Sequence, residues 1–249
     1  MREIRQEKMN DFIQEREVVT IRELQALFPN VSLMTIHRDL DALTRAGLIA
    51  KIRGGARSVR HVRDLSFEVR EWENRKGKAK VAEKAAALVP AESCIFLDSG
   101  TTSLALARLL PDAPMTVVTT GPNIALALCH VRGPSVTLCP GSLNKDNLTV
   151  SGHSTLQFLE TINIDLAFLG VSGYGREAGF TCGKESEMMV KRQVIKRARR
   201  TAALCDETKF QRLMPFTFAT LEDVDYVISD DALPEGFLQD AETAGVKVL

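Results

Sequence analysis

Val31-Ser32-Leu33-Met34-Thr35-Ile36-His37-Arg38-Asp39-Leu40-Asp41-Ala42-Leu43 alternates apolar and polar residues at helical spacing. Val31, Ile36, Leu40 and Leu43 share an inward face, while Ser32, Thr35, His37 and Arg38 point out. A helix whose first turns offer hydroxyls and an arginine to the outside suits the DNA major groove, where base edges present donors and acceptors. The flanking residues supply the rest of such a unit. Thr20-Ile21-Arg22-Glu23 reads as a capping box that opens a short helix through Leu24, Leu27 and Phe28. Pro29-Asn30 ends that helix and Ser32 is a good N-cap for the next, so a helix-turn-helix is expected over about residues 20–39. Arg2 to Arg16 reads as a preceding helix with Ile4, Met9, Phe12 and Ile13 inward. Ala46-Gly47 closes the second helix of the pair. Leu48–Arg53, Gly54-Gly55 and Ala56–Val59 then read as a β-hairpin, or wing.

Composition fits a DNA-reading unit on an otherwise neutral protein. The 249 residues suffice for two domains or one large one, and an apolar fraction of 45% supports a substantial core. Net charge is zero, which argues against a generic polyanion binder, but it is unevenly spread. Residues 1–63 carry twelve Lys and Arg against eight Asp and Glu; from Ser32 to Arg63 the balance is seven against two. That local basic surface suits phosphate contact. The charged start Met1-Arg2-Glu3-Ile4-Arg5 and the lack of a long apolar run predict a cytoplasmic protein with no membrane partner. Five cysteines without a C-x-x-C pair read as buried, reduced thiols. His130 and His153 lack metal-ligand spacing, so no metal is expected; no cofactor is expected either.

Beyond residues 61–78, a charged stretch that reads as a linker passing into a helix, the pattern changes. Short apolar strands are expected at Cys94–Leu97, Met115–Val118, Val136–Cys139, Leu166–Gly170, Thr201–Cys205, Tyr226–Ser229 and Val246–Leu249, with helical segments between several of them. That alternation predicts an open, mostly parallel sheet with helices on both faces. Residues 1–60, 61–78 and 79–249 are then a winged helix-turn-helix, a linker and a sensing α/β domain.

Asp98-Ser99-Gly100-Thr101-Thr102 lies beyond the carboxyl end of the first of these strands and opens a helix. Small hydroxyl residues and glycine there expose amides and the positive end of the helix dipole to an anion, the alternative reading being a simple N-cap. Asp98 would repel a phosphate and is expected to accept from sugar hydroxyls or loop amides. Thr119-Thr120-Gly121, Pro140-Gly141 and Gly170-Val171-Ser172-Gly173 would open on the same edge. Asp206 and Lys209 follow the fifth strand, where Lys209 can supply a cation. Glu187 and Lys191 are four apart and suit a helical ion pair; Arg192, Lys196, Arg197, Arg199 and Arg200 read as a solvated helical face.

Two motif sets in matching order resemble the DeoR family of bacterial repressors over nearly the whole chain. Val31 to Leu40 and Lys51-Ile52-Arg53-Gly54-Gly55-Ala56 are similar to that family's Val-Ser-x-x-Thr-Ile-Arg-Arg-Asp-Leu recognition helix and Arg-x-His-Gly-Gly-Ala wing. Ile95 to Thr102 and Cys205 to Phe210 are similar to its effector domain. The resemblance implies a repressor whose second domain is similar to ribose-5-phosphate isomerase and CoA-transferase folds and senses a phosphorylated sugar or related metabolite. By family position, Lys191 would face the ligand. The chain departs from the family at His37, Lys51 and Arg53, which bear on the operator read. It departs again at Thr119-Thr120-Gly121 and Pro140-Gly141, which bear on the effector.

The expected partners are therefore double-stranded operator DNA and a small phosphorylated metabolite. Ser32, Met34, Thr35, His37, Arg38, Lys51, Arg53 and Arg57 are the candidate DNA contacts, with Asp39 a structural partner within the helices. Asp98, Ser99, Gly100, Thr101, Thr102, Thr119, Thr120, Gly141, Lys191, Asp206 and Lys209 are the candidate effector contacts. A homodimer or homotetramer is expected, because two recognition helices read successive half-sites. No catalytic residue is assigned. The competing reading is a sugar-phosphate isomerase or transferase with a DNA-binding extension, using Asp98, Glu187 or Asp206 for acid–base work. An activator with the same architecture is a third.

Overall fold

A computed structural model describes residues 2–16, 18–46, 48–52, 54–58, 67–210, 212–230 and 233–249. Gly47, Arg53, Val59 and residues 61–66 of the expected linker lie outside the described residues. The chain divides into two compact units, Met1–Glu73 and Asn74–Leu249. Residues 67–78 of the expected linker therefore contribute helix to both units.

In the first unit, α1 (Arg2–Arg16), β1 (Val18–Thr20), α2 (Ile21–Leu27), α3 (Leu33–Arg45), β2 (Ile49–Ile52), β3 (Gly55–Ser58) and α4 (Phe67–Trp72) follow in order. Met9 and Ile13 of α1, Leu24 of α2 and Ile36, Leu40 and Leu43 of α3 bury themselves in one core with Val19, Leu48, Ile49 and Ala56. Each of these Leu, Ile, Val and Met side chains contributes about 1.5–3 kcal/mol by leaving water. Ile4, expected inward, is 59% exposed. Nine residues of α-helix separate it from Ile13, about 900° of rotation, which sets the two on opposite faces. The inward face of α1 carries Gln6 and Asn10 instead.

The wing is wider than a hairpin. β3 lies between β1 and β2, antiparallel to both. Gly54 makes the turn with φ of +82°, and a Cβ on Gly55 would stand 2.0 Å from the Val19 carbonyl oxygen. The close backbone approach that glycine permits is thus made by Gly55 to β1.

The second unit opens with α5 (Arg75–Ala86), then β4 (Cys94–Leu97), α6 (Thr101–Ala107), β5 (Met115–Thr119), α7 (Pro122–Leu128) and β6 (Pro134–Leu138). A hairpin of β7 (Ser142–Asn144) and β8 (Thr149–Ser151) leads to α8 (His153–Glu160) and β9 (Leu166–Gly170). There follow β10 (Gly173–Gly175), β11 (Gly179–Cys182), α9 (Glu185–Arg197), β12 (Thr201–Leu204), β13 (Phe216–Ala219), β14 (Tyr226–Ile228), α10 (Phe237–Thr243) and β15 (Lys247–Val248). All seven expected strands join one sheet in the order β15-β14-β12-β9-β4-β5-β6, and every pairing in it is parallel. The chain builds from β4 to one edge, returns to place β9 beside β4, and builds to the other edge. Because crossovers share one hand, this reversal sends the flanking helices to opposite faces. It also makes the β4–β9 junction the switch point at which such sheets hold ligands.

Phe96 and Phe168, on the adjacent strands β4 and β9, are fully buried at the sheet's centre. A second, three-stranded antiparallel sheet of β10, β11 and β13 places Tyr174 against Phe180, Phe210 and Phe237. Of the cysteines, expected to be buried, Cys139, Cys182 and Cys205 are buried, while Cys94 is half-buried and Cys129 is exposed near the end of α7. Burial pushes the Cys139 and Cys182 thiols up to about 12, so neither supplies a reactive thiolate near neutral pH.

Candidate functional site

The first unit assembles the expected recognition helix. The Thr20 hydroxyl accepts from Glu23 N at 3.3 Å while Glu23 Oε2 accepts from Thr20 N at 2.7 Å, closing the capping box that starts α2. The Thr20 amide, and the Thr20 hydroxyl that donates to the same Oε2 at 2.8 Å, hold the Glu23 carboxyl below its ordinary range. Ser32 caps α3: its Oγ accepts from Thr35 N at 3.3 Å and meets the Thr35 hydroxyl at 2.9 Å. Met34, 65% exposed, and Arg38 project from α3, with Thr35 and His37 half-buried beside them. Asp39 points the other way. It is 1% exposed and accepts from Arg5 Nε at 2.6 Å and Gln6 Nε2 at 2.7 Å, so it fastens α3 to α1. On the wing, Lys51 Nζ meets Asp41 Oδ1 at 2.6 Å, an exposed pair that ties β2 to α3, and Arg57 is exposed on β3. The candidate contact Arg53 lies outside the described residues.

In the second unit the loops after β4, β5, β9 and β12 open on one edge of the sheet. Asp98, one residue beyond β4, is nearly buried. Its Oδ1 accepts from Ser99 N at 2.9 Å and its Oδ2 from Gly170 N at 3.0 Å, joining the two sides of the switch point. Oδ2 also receives the Lys191 ammonium, which donates in addition to the Gly170 carbonyl at 2.8 Å. Burial alone would lower the Lys191 pKa; the Asp98 carboxylate reverses this and holds it above its ordinary value. Glu187, one helical turn before Lys191, accepts from the Asn147 side chain in the β7–β8 hairpin. The Ser99 and Thr149 hydroxyls bond to each other, so the hairpin is fastened to the β4 loop as well.

The remaining candidates line the same edge. Thr101 and Thr102 are buried in the first turn of α6 behind the N-cap Gly100. Thr119 Oγ1 accepts from Gly121 N at 3.0 Å, and Thr120 is fully buried. Gly141 has φ of +145°, and a Cβ there would stand 2.4 Å from Thr155 Oγ1. Asp206, beyond β12, is buried; its Oδ1 accepts from Thr208 Oγ1 at 2.6 Å and from Asn74 Nδ2 at 3.0 Å, with Lys209 Nζ 3.7 Å from Oδ2. Burial would raise its pKa, but the Lys209 ammonium and these bonds bring it below the ordinary value. Each acidic side chain among the candidates thus has a lysine beside it.

The chain matches the DeoR-like helix-turn-helix domain over residues 5–62 and the DeoR C terminal sensor domain over residues 73–231. It is 31% identical over 98% of its length to the HTH-type transcriptional regulator GolR of Listeria innocua, covering 96% of that protein. This chain belongs to the DeoR family. It is also 29% identical to the glycerol-3-phosphate regulon repressor of Haemophilus influenzae, covering 94% of this chain and 91% of that one. Ribose 5-phosphate isomerase A of Methanocaldococcus jannaschii is similar over 55% of each chain, at 19% identity and a TM-score of 0.41. The chain is a DNA-binding transcriptional regulator with a sensor domain; the enzyme reading is set aside, because the relatives it matches end to end are regulators.

Within this DeoR-family sensor, three asparagines that were not among the expected contacts lie at the candidate site. Asn147 holds Glu187, and Asn74 caps α5 while donating to Asp206 at 3.0 Å and to Asp230 at 3.3 Å. Asn123 sits in the first turn of α7. Asn74 has φ of 44°, a left-handed conformation that asparagine tolerates better than most residues. The sequence signal for Asn123 was the Gly121-Pro122 pair, since proline at a first helical position marks a helix start facing the same edge. Among the described residues no helix is long and apolar enough to cross a membrane.

Proposed function

We propose that this regulator represses a carbohydrate-metabolism operon and leaves its operator when a phosphorylated sugar binds the sheet edge of the second unit. The observation that carries the reading is the internal neutralisation of Asp98. Its carboxylate is taken up by Lys191 and by the amides of Ser99 and Gly170. It therefore does not oppose an anion arriving at the adjacent first turn of α6, whose amides stand outside the helix's own ladder. Lys209 neutralises the second carboxylate on the same edge, Asp206, in the same way. In this reading Ser32, Met34, Thr35, His37, Arg38, Lys51, Arg53 and Arg57 face DNA, and Ser99 to Thr102, Thr119, Thr120, Gly141, Lys191, Asp206 and Lys209 surround the effector. The protein works in the cytoplasm as a homodimer or homotetramer, presenting paired recognition helices to successive half-sites. The similarity to a glycerol-3-phosphate regulon repressor supports a phosphorylated effector.

Thermal-shift measurements with a panel of phosphorylated sugars and their unphosphorylated counterparts test this, because a ligand that binds only the folded state raises the melting temperature. Stabilisation by a phosphorylated member and not by its counterpart is expected. A panel in which no phosphorylated sugar stabilises the protein overturns the reading.

A further inference from the structure

Among the described residues of the second unit, buried side-chain polar atoms that hydrogen-bond to no other group are confined to the sheet edge of the candidate effector site. They are Ser103 Oγ, Thr120 Oγ1, both polar atoms of Asn123, Asn147 Oδ1 and Asp206 Oδ2. Ser103 lies in the first turn of α6, Thr120 in the loop after β5 and Asn123 in the first turn of α7. A Cβ on Gly121 would stand 3.0 Å from Asn123 Oδ1 and equally 3.0 Å from Ser99 Cα, so the Asn123 carboxamide folds back over Gly121 toward the β4 loop. A Cβ on Gly100 would lie 4.0 Å from Ser103 Oγ. Thr120 is tied to the β7–β8 hairpin by Val150 N, which donates to its carbonyl at 2.8 Å. Ser103 and Thr120 are fully buried. Proteins rarely leave buried polar atoms unmatched, since an apolar side chain of the same shape is less costly there.

The chemistry of these groups says what matches them. A phosphate at neutral pH chiefly accepts hydrogen bonds, and so does not satisfy Asn123 Oδ1, which needs a donor. A hydroxyl both donates and accepts, as do the side chains of Ser103 and Thr120. We propose that Thr120 and Asn123, with Ser103 of α6, form the subsite that recognises the hydroxyl-bearing carbon chain of the effector rather than its phosphate, and so select which sugar is sensed. This deepens the sensing role proposed above and rests on it.

The near-isosteric substitutions Thr120→Val and Asn123→Leu test the subsite in the full-length protein. Probes are ribose 5-phosphate, glucose 6-phosphate, glycerol 3-phosphate and inorganic phosphate. The ligand-free variants are expected to melt at or above the wild-type temperature. Each is expected to bind the sugar phosphate that stabilises the wild type about 5- to 10-fold more weakly, the loss of one hydrogen bond, with inorganic phosphate bound equally by all. If both variants melt lower without ligand and bind that sugar phosphate as the wild type does, these groups serve the fold and the subsite is refuted. If no phosphorylated probe stabilises the wild type, the sensing role fails and the subsite with it.

Discussion

Lys191 and Asp98 form a buried ion pair across the switch point of the parallel sheet, with side chains 5% and 8% exposed. One partner comes from α9 and the other from the loop after β4, so the pair clamps elements that are 93 residues apart in sequence. Replacing Lys191 with Met would leave a buried carboxylate without its cation. The expected loss is about 3–5 kcal/mol, read from denaturant unfolding of the second unit. Combining Lys191→Met with Asp98→Asn should recover part of it, because no uncompensated charge then remains. The raised Lys191 pKa adds an alkaline limit. The stability it contributes is complete below the ordinary lysine value of about 10.4 and is lost as pH rises through the folded-state value.

Asp206 sets the opposite limit. Its pKa is lowered in the folded protein, so its contribution is complete above the ordinary aspartate value of about 3.9 and disappears as pH falls through the folded-state value. Asp206→Asn should therefore flatten the acid limb of a stability-against-pH curve below about pH 4. An unchanged acid limb would show that Asp206 is not held ionised by Lys209, Thr208 and Asn74.

Arg38 and Asp39 are neighbours with opposite orientations, and their substitutions should separate binding from folding. Arg38 is exposed on α3, so Arg38→Ala should weaken operator binding by about 1–3 kcal/mol in a fluorescence-anisotropy titration while the first unit keeps its stability. Asp39→Ala removes the acceptor of Arg5 and Gln6 and should cost the first unit about 1.5–3 kcal/mol of folding stability.

Much of this arrangement was legible in the sequence because it follows from local rules. The capping box at Thr20, the N-cap at Ser32 and the spacing of Ile36, Leu40 and Leu43 each depend on residues within a turn or two. The seven apolar strands likewise announced the parallel sheet, whose central strands are buried on both faces. What escaped were pairings across long sequence separations. The short strands β1, β10, β11 and β13 have little pattern of their own and exist because a partner strand lies beside them. The Glu187–Lys191 spacing suggested a pair along one helix, yet Lys191 reaches Asp98 because the fold carries that carboxylate to it. Asn74 and Asn147 look like ordinary turn residues until the loops they hold are seen together, and Asn123 until its place against Gly121 is seen.

The measurement that bears most directly on the account is an equilibrium titration of labelled operator DNA, taken from upstream of the protein's own operon, with and without the phosphorylated sugar that stabilises it. Wild-type protein should bind the DNA about 5- to 150-fold more weakly in the presence of that sugar, the usual range of allosteric coupling. Lys209→Ala should bind the DNA as the wild type does and no longer respond. Operator affinity that the sugar leaves unchanged in the wild type, or release that persists undiminished in Lys209→Ala, would contradict it.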